Sequence, residues 1–191
     1  MEEKIMSKMK KIAAMTAALL ISASTMGYLP QDSIIISNVT ANAAEEEITS
    51  VEINETNFPD AIFREYVKEN FDTDGDGVLS AEEIAAVTSI ILSEDGMHGI
   101  TTVVSDLKGI EYFTNLEELN CNDSNLTEID LSKNTKLKYL ECDGNALASL
   151  DVSKNTALTS LFCSENKLTS IDVSQNAELV ALFCLGNQFT N

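Results

Sequence analysis

The chain has no tryptophan, one histidine, and only 12 lysine and arginine residues against 31 aspartates and glutamates. Each shortage bears on function. A formal charge of −19 repels phosphate backbones and anionic lipid, which argues against nucleic-acid and membrane-surface binding. The histidine, His98, stands in the glycine-rich stretch SEDGMHG without a neighbouring cysteine or hydroxyl nucleophile motif. It therefore reads as an exposed loop residue, no catalytic constellation survives inspection, and an enzyme is not expected. The 191 residues, 44% of them apolar, suffice for one domain or two small ones.

The first 43 residues do not enter that count. Lys4, Lys8, Lys10 and Lys11 precede an apolar stretch from Ile12 to Leu29, and Ala41-Asn42-Ala43 offers small residues at a cleavage site. The pattern predicts a signal peptide over residues 1–43 and a secreted chain. An uncleaved anchor is the alternative, although Thr, Ser and Gly dilute the stretch. No cysteine lies near its end for lipid attachment, and no second span follows, so no membrane association is expected after cleavage. The segment carries four lysines against Glu2, Glu3 and Asp32, so its removal takes the charge from −19 to −20.

Residues 72–83 read DTDGDGVLSAEE. Alternating carboxylates repel one another unless a cation sits among them. Calcium takes six to eight oxygens, and a twelve-residue loop supplies them from positions one, three, five, seven, nine and twelve, with glycine at six. Those positions are Asp72, Asp74, Asp76, Val78, Ser80 and Glu83, with Gly77 at six. Val78 needs only its carbonyl, so an apolar side chain is allowed there. Before the loop, Ile62, Phe63, Tyr66, Val67 and Phe71 recur at helical spacing behind Pro59; after it, Ser80 and Glu83 form an S-x-x-E capping box opening AEEIAAV. The segment resembles the EF-hand family, and the resemblance implies a calcium site; the alternative is a solvated Asp-rich turn that binds nothing.

From Asn115 the chain repeats every 21 residues: NLEELNCNDSNLTEIDLSKNT, KLKYLECDGNALASLDVSKNT, ALTSLFCSENKLTSIDVSQNA and the unfinished ELVALFCLGNQFTN. The pattern L-x-x-L-x-C-x-x-N-x-L-x-x-L resembles the leucine-rich repeat. One unit is a short strand plus a return turn and cannot bury its apolar side alone, so neighbours must stack. The expected fold class is a leucine-rich repeat solenoid, an α/β repeat with one parallel ladder, behind a helical EF-hand-like cap. The expected boundaries are a cap over 44–88 and repeats over 89–191, the latter comprising one irregular rung, three regular units and a truncated one; Val87, Ile90, Ile91 and Leu92 mark the irregular rung. Asn145, Asn166 and Asn187 form a column expected to satisfy backbone groups after each strand, with Ser124 departing from it in the first unit.

Cys121, Cys142, Cys163 and Cys184 share the same period. An even count in an exported chain usually implies disulfides. Here the side chains point alike from neighbouring strands, whereas a bridge needs converging vectors. Four rungs at a spacing of ~4.8 Å extend over about 14 Å, which no zinc tetrahedron spans. Buried free thiols acting as small hydrophobes are expected.

Strand positions between the core residues face the concave surface: Glu118, Tyr139, Ser160 and Ala181; Asn120, Glu141, Phe162 and Phe183; Asn122, Asp143, Ser164 and Leu185. Tyr139, Glu141, Asp143, Phe162 and Phe183 are the candidate ligand-binding residues, because outward aromatics have no core to fill and clustered ones mark contact surfaces. Phe162 and Phe183 pairing across strands is the alternative. Asp130, Asp151 and Asp172, in D-x-S-x-N turns, are expected to accept backbone N–H groups.

A helical EF-hand-like cap, then LKGIEYFTNL, then leucine-rich units is an arrangement similar to the internalin type of bacterial surface protein. Caps of that family usually keep only the helices, whereas this loop is complete; its arrays are longer and closed by a C-terminal cap. Here the array stops mid-unit, without such a cap or a wall-sorting motif, so the chain is a fragment or its last rung is covered by a partner. The resemblance implies a secreted recognition or adhesion module that binds calcium in its cap and a protein, peptide or glycan on its concave face. Two alternatives remain: a structural or targeting fragment of a larger surface protein with no ligand of its own, and a dockerin-like module, which needs two loops where one is found.

Overall fold

The computed structural model describes residues 50–92 and 103–189. The expected signal peptide and His98 lie outside the described residues. Helix α1 (Ala61–Phe71) starts where Asp60 Oδ1 accepts from the N–H groups of Ile62 and Phe63, at 2.9 and 3.0 Å. It buries Phe63 and Val67 and carries Lys68 in its last turn, where a cation complements the helix dipole. The second oxygen of Asp60 accepts from Ser105 N–H and hydroxyl, both at 2.9 Å, tying the helix start to the first rung. Burial alone would raise this carboxyl's pKa, but the donors of Phe63, Ser105 and Ile62 hold it below the usual value.

Strand β1 (Ser50–Glu52) pairs antiparallel with β2 (Val78–Ser80), and Val51 and Leu79, opposite each other, are both buried. Helix α2 (Ala81–Ala86) follows directly, opened by the capping box of Ser80 and Glu83. The five remaining strands, β3 (Ser89–Ile91), β4 (Glu118–Asn120), β5 (Tyr139–Glu141), β6 (Ser160–Phe162) and β7 (Ala181–Phe183), form one parallel sheet in chain order. From β4 onward the register keeps the repeat: Leu119 pairs with Leu140, Leu140 with Leu161, and Leu161 with Leu182. Strand β3 joins by pairing Ile90 with Leu119, which makes it the irregular first rung expected from the sequence. Among the described residues no helix is long and apolar enough to cross a membrane.

The cap and the array share one core. Phe58, fully buried, packs edge-on against Phe63 and Tyr112 and tilted against Phe113, at centroid distances of 5.9, 5.7 and 6.3 Å. Gly109, at φ 104°, opens the 3-10 turn Ile110–Tyr112, and a Cβ there would strike the Phe58 ring and the Asn57 carbonyl. Only glycine allows that approach.

Two asparagine columns satisfy the turns. The expected one is present: Asn166 Nδ2 donates to the carbonyls of Cys142, Cys163 and Ser164, and its Oδ1 accepts from Leu147 N–H. Asn145 and Asn187 repeat this arrangement on their own rungs. Ser124 is too short for it and makes one contact of 3.5 Å to the Asn122 carbonyl. The regular offset between turns also shifts there by one residue, with Asn125 donating to Val104 where Ala146 donates to Leu126.

The second column is the asparagine of D-x-S-x-N. Asn134, Asn155 and Asn176 are buried, and each Nδ2 bridges two carbonyls of the preceding rung: Ile110 and Phe113, Leu131 and Asn134, Val152 and Asn155. The aspartates of the same motif behave as expected. Asp130, Asp151 and Asp172 accept from the N–H of Ser132, Ser153 and Ser174 at 2.9 Å, which holds their carboxyls below the usual range.

All four cysteines are free thiols, three of them buried. Cys121 and Cys142 donate Sγ–H to the carbonyls of Glu141 and Phe162 on the next rung, at 3.4 Å. Burial pushes Cys121 and Cys163 up to about 12 and raises Cys142 well above its usual value, so these thiols stay protonated and unreactive at neutral pH. A thiol reagent should therefore label native protein slowly and label all four cysteines after denaturation without prior reduction; fewer reactive groups would mean disulfides. Asn155→Leu strands the buried carbonyls of Leu131 and Asn134. At about 1–3 kcal/mol per unpaired group, denaturant titration should show a loss of roughly 2–6 kcal/mol.

Candidate functional site

The acidic loop begins where α1 ends. Gly75 and Gly77, at φ 70° and 80°, turn the backbone through conformations that favour glycine, with open space around both. The turn brings Asp72, Asp74 and Asp76 together, one oxygen of each lying within 4.8 Å of the others. Backbone donors hold them there. Asp72 accepts from Asp76 N–H at 3.1 Å and from Gly77 N–H at 3.0 Å, Asp74 from Asp76 N–H at 3.2 Å, and Asp76 from Val78 N–H at 2.8 Å.

Oxygens sharing one calcium, each 2.3–2.6 Å from it, lie at most about 5 Å apart, so this cluster fits that ion. Val78 fits too. Ile53 N–H donates to the Gly77 carbonyl at 3.0 Å, and bonds alternate along an antiparallel pair, which directs the Val78 carbonyl away from β1. Glu83 stands apart from the three aspartates. Its Oε1 accepts from the N–H and hydroxyl of Thr73, at 2.7 and 2.6 Å, and its Oε2 from the N–H and hydroxyl of Ser80, both at 2.9 Å. The Thr73 hydroxyl, the Ser80 N–H and the Thr73 N–H lower its pKa to about 2.

Two features of this site are not visible in the loop motif. Thr73, at a position with no ligand role, anchors Glu83. Strand β1, from outside the motif, braces the loop's inner strand where paired loops would brace each other.

The ladder sets out the second candidate surface. The register places Tyr139 beside Ser160, and Glu141, Phe162 and Phe183 in one column. Tyr139 and Phe183 are 51% and 50% exposed, while Phe162 is half-buried. Phe162 and Phe183 stack with centroids 4.9 Å apart and planes 3° from parallel. Cross-strand pairing and exposure thus coexist. The carboxylates are less free: Glu141 accepts from Asn120 Nδ2 at 2.7 Å and Asn122 Nδ2 at 3.2 Å, and Asp143 accepts from Ser164 N–H. Asn122 in turn accepts from Asp143 N–H at 2.7 Å. Asn120 and Asn122 therefore order this face, a role their place in the columns permitted but did not announce.

No protein-family model and no curated protein matches the chain. Solved structures do. The functional domain of InlJ from Listeria monocytogenes, which includes a cysteine ladder, is 39% identical, with a TM-score of 0.62 over 72% of this chain and 29% of its own length. The internalin InlF from the same organism is 23% identical, with a TM-score of 0.60 over 74% of this chain and 47% of its own, a likeness of fold. The chain spans less than half the length of either. Its unbroken period, single parallel ladder and column of free cysteines make it a leucine-rich repeat protein that resembles the internalins of Listeria.

Proposed function

We propose that the chain is a secreted, calcium-binding recognition or adhesion module whose concave face holds a protein or peptide. The exposed aromatics on β5 to β7 carry this reading, since Tyr139 and Phe183 stand half-exposed where a monomer gains nothing from apolar surface. The stacking favours protein over glycan. A sugar packs on the flat of a ring, and the facing flats of Phe162 and Phe183 cover each other. Their exposed edges suit the side chains of a protein ligand.

In the cap, Asp72, Asp74, Asp76, the Val78 carbonyl, Ser80 and Glu83 would hold one calcium. Bound there, the ion neutralises the converging carboxylates. Glu83 supplies the twelfth position from the first turn of α2, and Asp72 the first from the end of α1, so the loop joins both helices. Strand β1 keeps the inner strand in place throughout.

An isolated loop in an extracellular module falls in the 10⁻⁴–10⁻³ M affinity class, roughly. At about ten times the dissociation constant, calcium should stabilise the fold by ~1.4 kcal/mol. Chelation should lower the melting temperature, and Asp72→Ala with Glu83→Ala should abolish the difference; a chelator effect undiminished in the double variant would remove calcium from this loop.

The concave face is tested by capture from extracellular and cell-surface fractions. Protein retained by the wild type should be lost with Tyr139→Ala and Phe162→Ala and kept with Thr135→Ala, a control on an exposed turn. Denaturant titration should show Phe162→Ala costing no more than about 1 kcal/mol of stability, the scale of a cross-strand pair. Capture indifferent to both aromatic changes would move the ligand off this face. Failure to retain any protein would favour a structural module.

A further inference from the structure

The sheet of β3 to β6 turns one side to the core and the other to solvent. On the solvent side Glu118 and Tyr139 are exposed, and Asn120, Glu141 and Phe162 are partly so. This side carries three carboxylates, Glu118, Glu141 and Asp143, and no lysine or arginine. The ion pairs among the described residues, Arg64 with Glu55 and Lys138 with Glu117, involve none of the three.

Each of these carboxylates is held by one oxygen. Glu118 Oε2 accepts from the Ser89 hydroxyl at 3.1 Å, Glu141 Oε2 from Asn120 Nδ2 and Asn122 Nδ2 at 2.7 and 3.2 Å, and Asp143 Oδ1 from Ser164 N–H. Among the described residues the second oxygen of each takes no hydrogen bond. Side chains tethered in this way have already lost rotamer freedom, so a partner that binds them orders less. They are spread over the face rather than gathered like Asp72, Asp74 and Asp76, which suits the side chains of a polymer better than a single ion.

Tyr139 stands among them. It pairs with Glu118 across the ladder, and Glu141 lies two residues further along its own strand on the same side. The two carboxylates therefore flank the tyrosine at about 5 and 7 Å along the backbone. Ser160, its neighbour on β6, is too small to cover the ring, which is 51% exposed. An aromatic ring between two carboxylates is a setting for a guanidinium. Its plane stacks on the ring while its N–H fork reaches the carboxylate oxygens, and an ammonium makes only the point-charge part of that contact.

We propose that the partner on the concave face presents an arginine, with its guanidinium on the Tyr139 ring and its N–H groups on the free oxygens of Glu118 and Glu141. The inference rests on the concave-face reading above and adds the chemistry of the ligand. The protein bound there is basic where it crosses β4 and β5 and apolar where it meets Phe162.

The probe is a short fluorescent peptide of alternating arginine and glycine, titrated against the purified full chain by anisotropy. The wild type should bind it, should bind the lysine version more weakly, and should leave the citrulline version, which has the same shape without the charge, unbound. Glu118→Gln with Glu141→Gln, which keeps acceptors for Ser89, Asn120 and Asn122, should weaken binding on the order of ten-fold. Tyr139→Leu should weaken it about three-fold, and Tyr139→Phe, which keeps the ring, should restore it. Glu65→Gln with Glu69→Gln, on the exposed side of α1, removes the same charge and should leave binding unchanged. No binding by the wild type overturns the proposal, as does equal binding of the citrulline peptide, an equal loss in the α1 pair, or indifference to Tyr139→Leu. A protein whose capture depends on Phe162 but on neither Glu118 nor Glu141 would keep the concave face as the binding surface and overturn the arginine.

Discussion

A three-residue strand and its return turn cannot enclose a core, and everything else in this molecule follows from that constraint. Each rung buries its leucines only against the rung on either side. Leu140 and Leu161 are fully buried between neighbours, and Leu182, which among the described residues has a neighbour on one side, is not. At the other end the need is met differently. Phe58, Phe63, Phe71, Tyr112 and Phe113 form a continuous aromatic cluster that belongs half to the cap and half to the first rungs. The cap is therefore part of the fold's closure rather than an appended domain, and Gly109 marks where the two halves come closest.

Stacking creates a second requirement. Turns that would lie in solvent in a globular protein are pressed against other turns, and their carbonyls lose water. The two asparagine columns answer this with side-chain amides, each serving groups on its own rung and the one before, or two groups on the rung before. The cysteine column solves a smaller problem: a thiol fills the space of a small apolar group and still offers a weak donor to the neighbouring carbonyl. A leucine there would bring no donor. Both devices work only at a fixed register, which is why one-residue irregularities are confined to the first unit, where Ser124 replaces asparagine.

Much of this was legible because the period is strict. Once the blocks of 21 are aligned, core, concave face and turn follow by position, and the observed pairing of Glu118, Tyr139, Ser160 and Ala181 is the column written from sequence. What escaped were features that depend on residues without a repeating neighbour or on a polar residue's degree of burial. Asn134, Asn155 and Asn176 stood in plain sight within D-x-S-x-N, yet composition alone reads such a turn as solvated. Strand β1 is three residues long and lies outside every motif; its role comes from a tertiary pairing with Val78, Leu79 and Ser80. Thr73 is invisible for a related reason, since the loop motif assigns ligands and says nothing of what steadies them.

The acidic composition invites one explanation, but the carboxylates fall into distinct physical settings. Asp130, Asp151 and Asp172 each close a turn through one N–H, and Asp60 caps α1 while holding Ser105. Glu141 and Asp143 are bound into a lateral network of amides on the concave face. In each of these cases the negative charge meets donors of its own, and no second carboxylate is needed nearby. The loop differs. Asp72, Asp74 and Asp76 also receive N–H groups, but those donors come from within the same few residues and hold three charges within 4.8 Å of one another. Water and backbone dipoles lessen that repulsion without removing it. It is this convergence, rather than the abundance of acid, that separates the loop from the rest of an acidic chain.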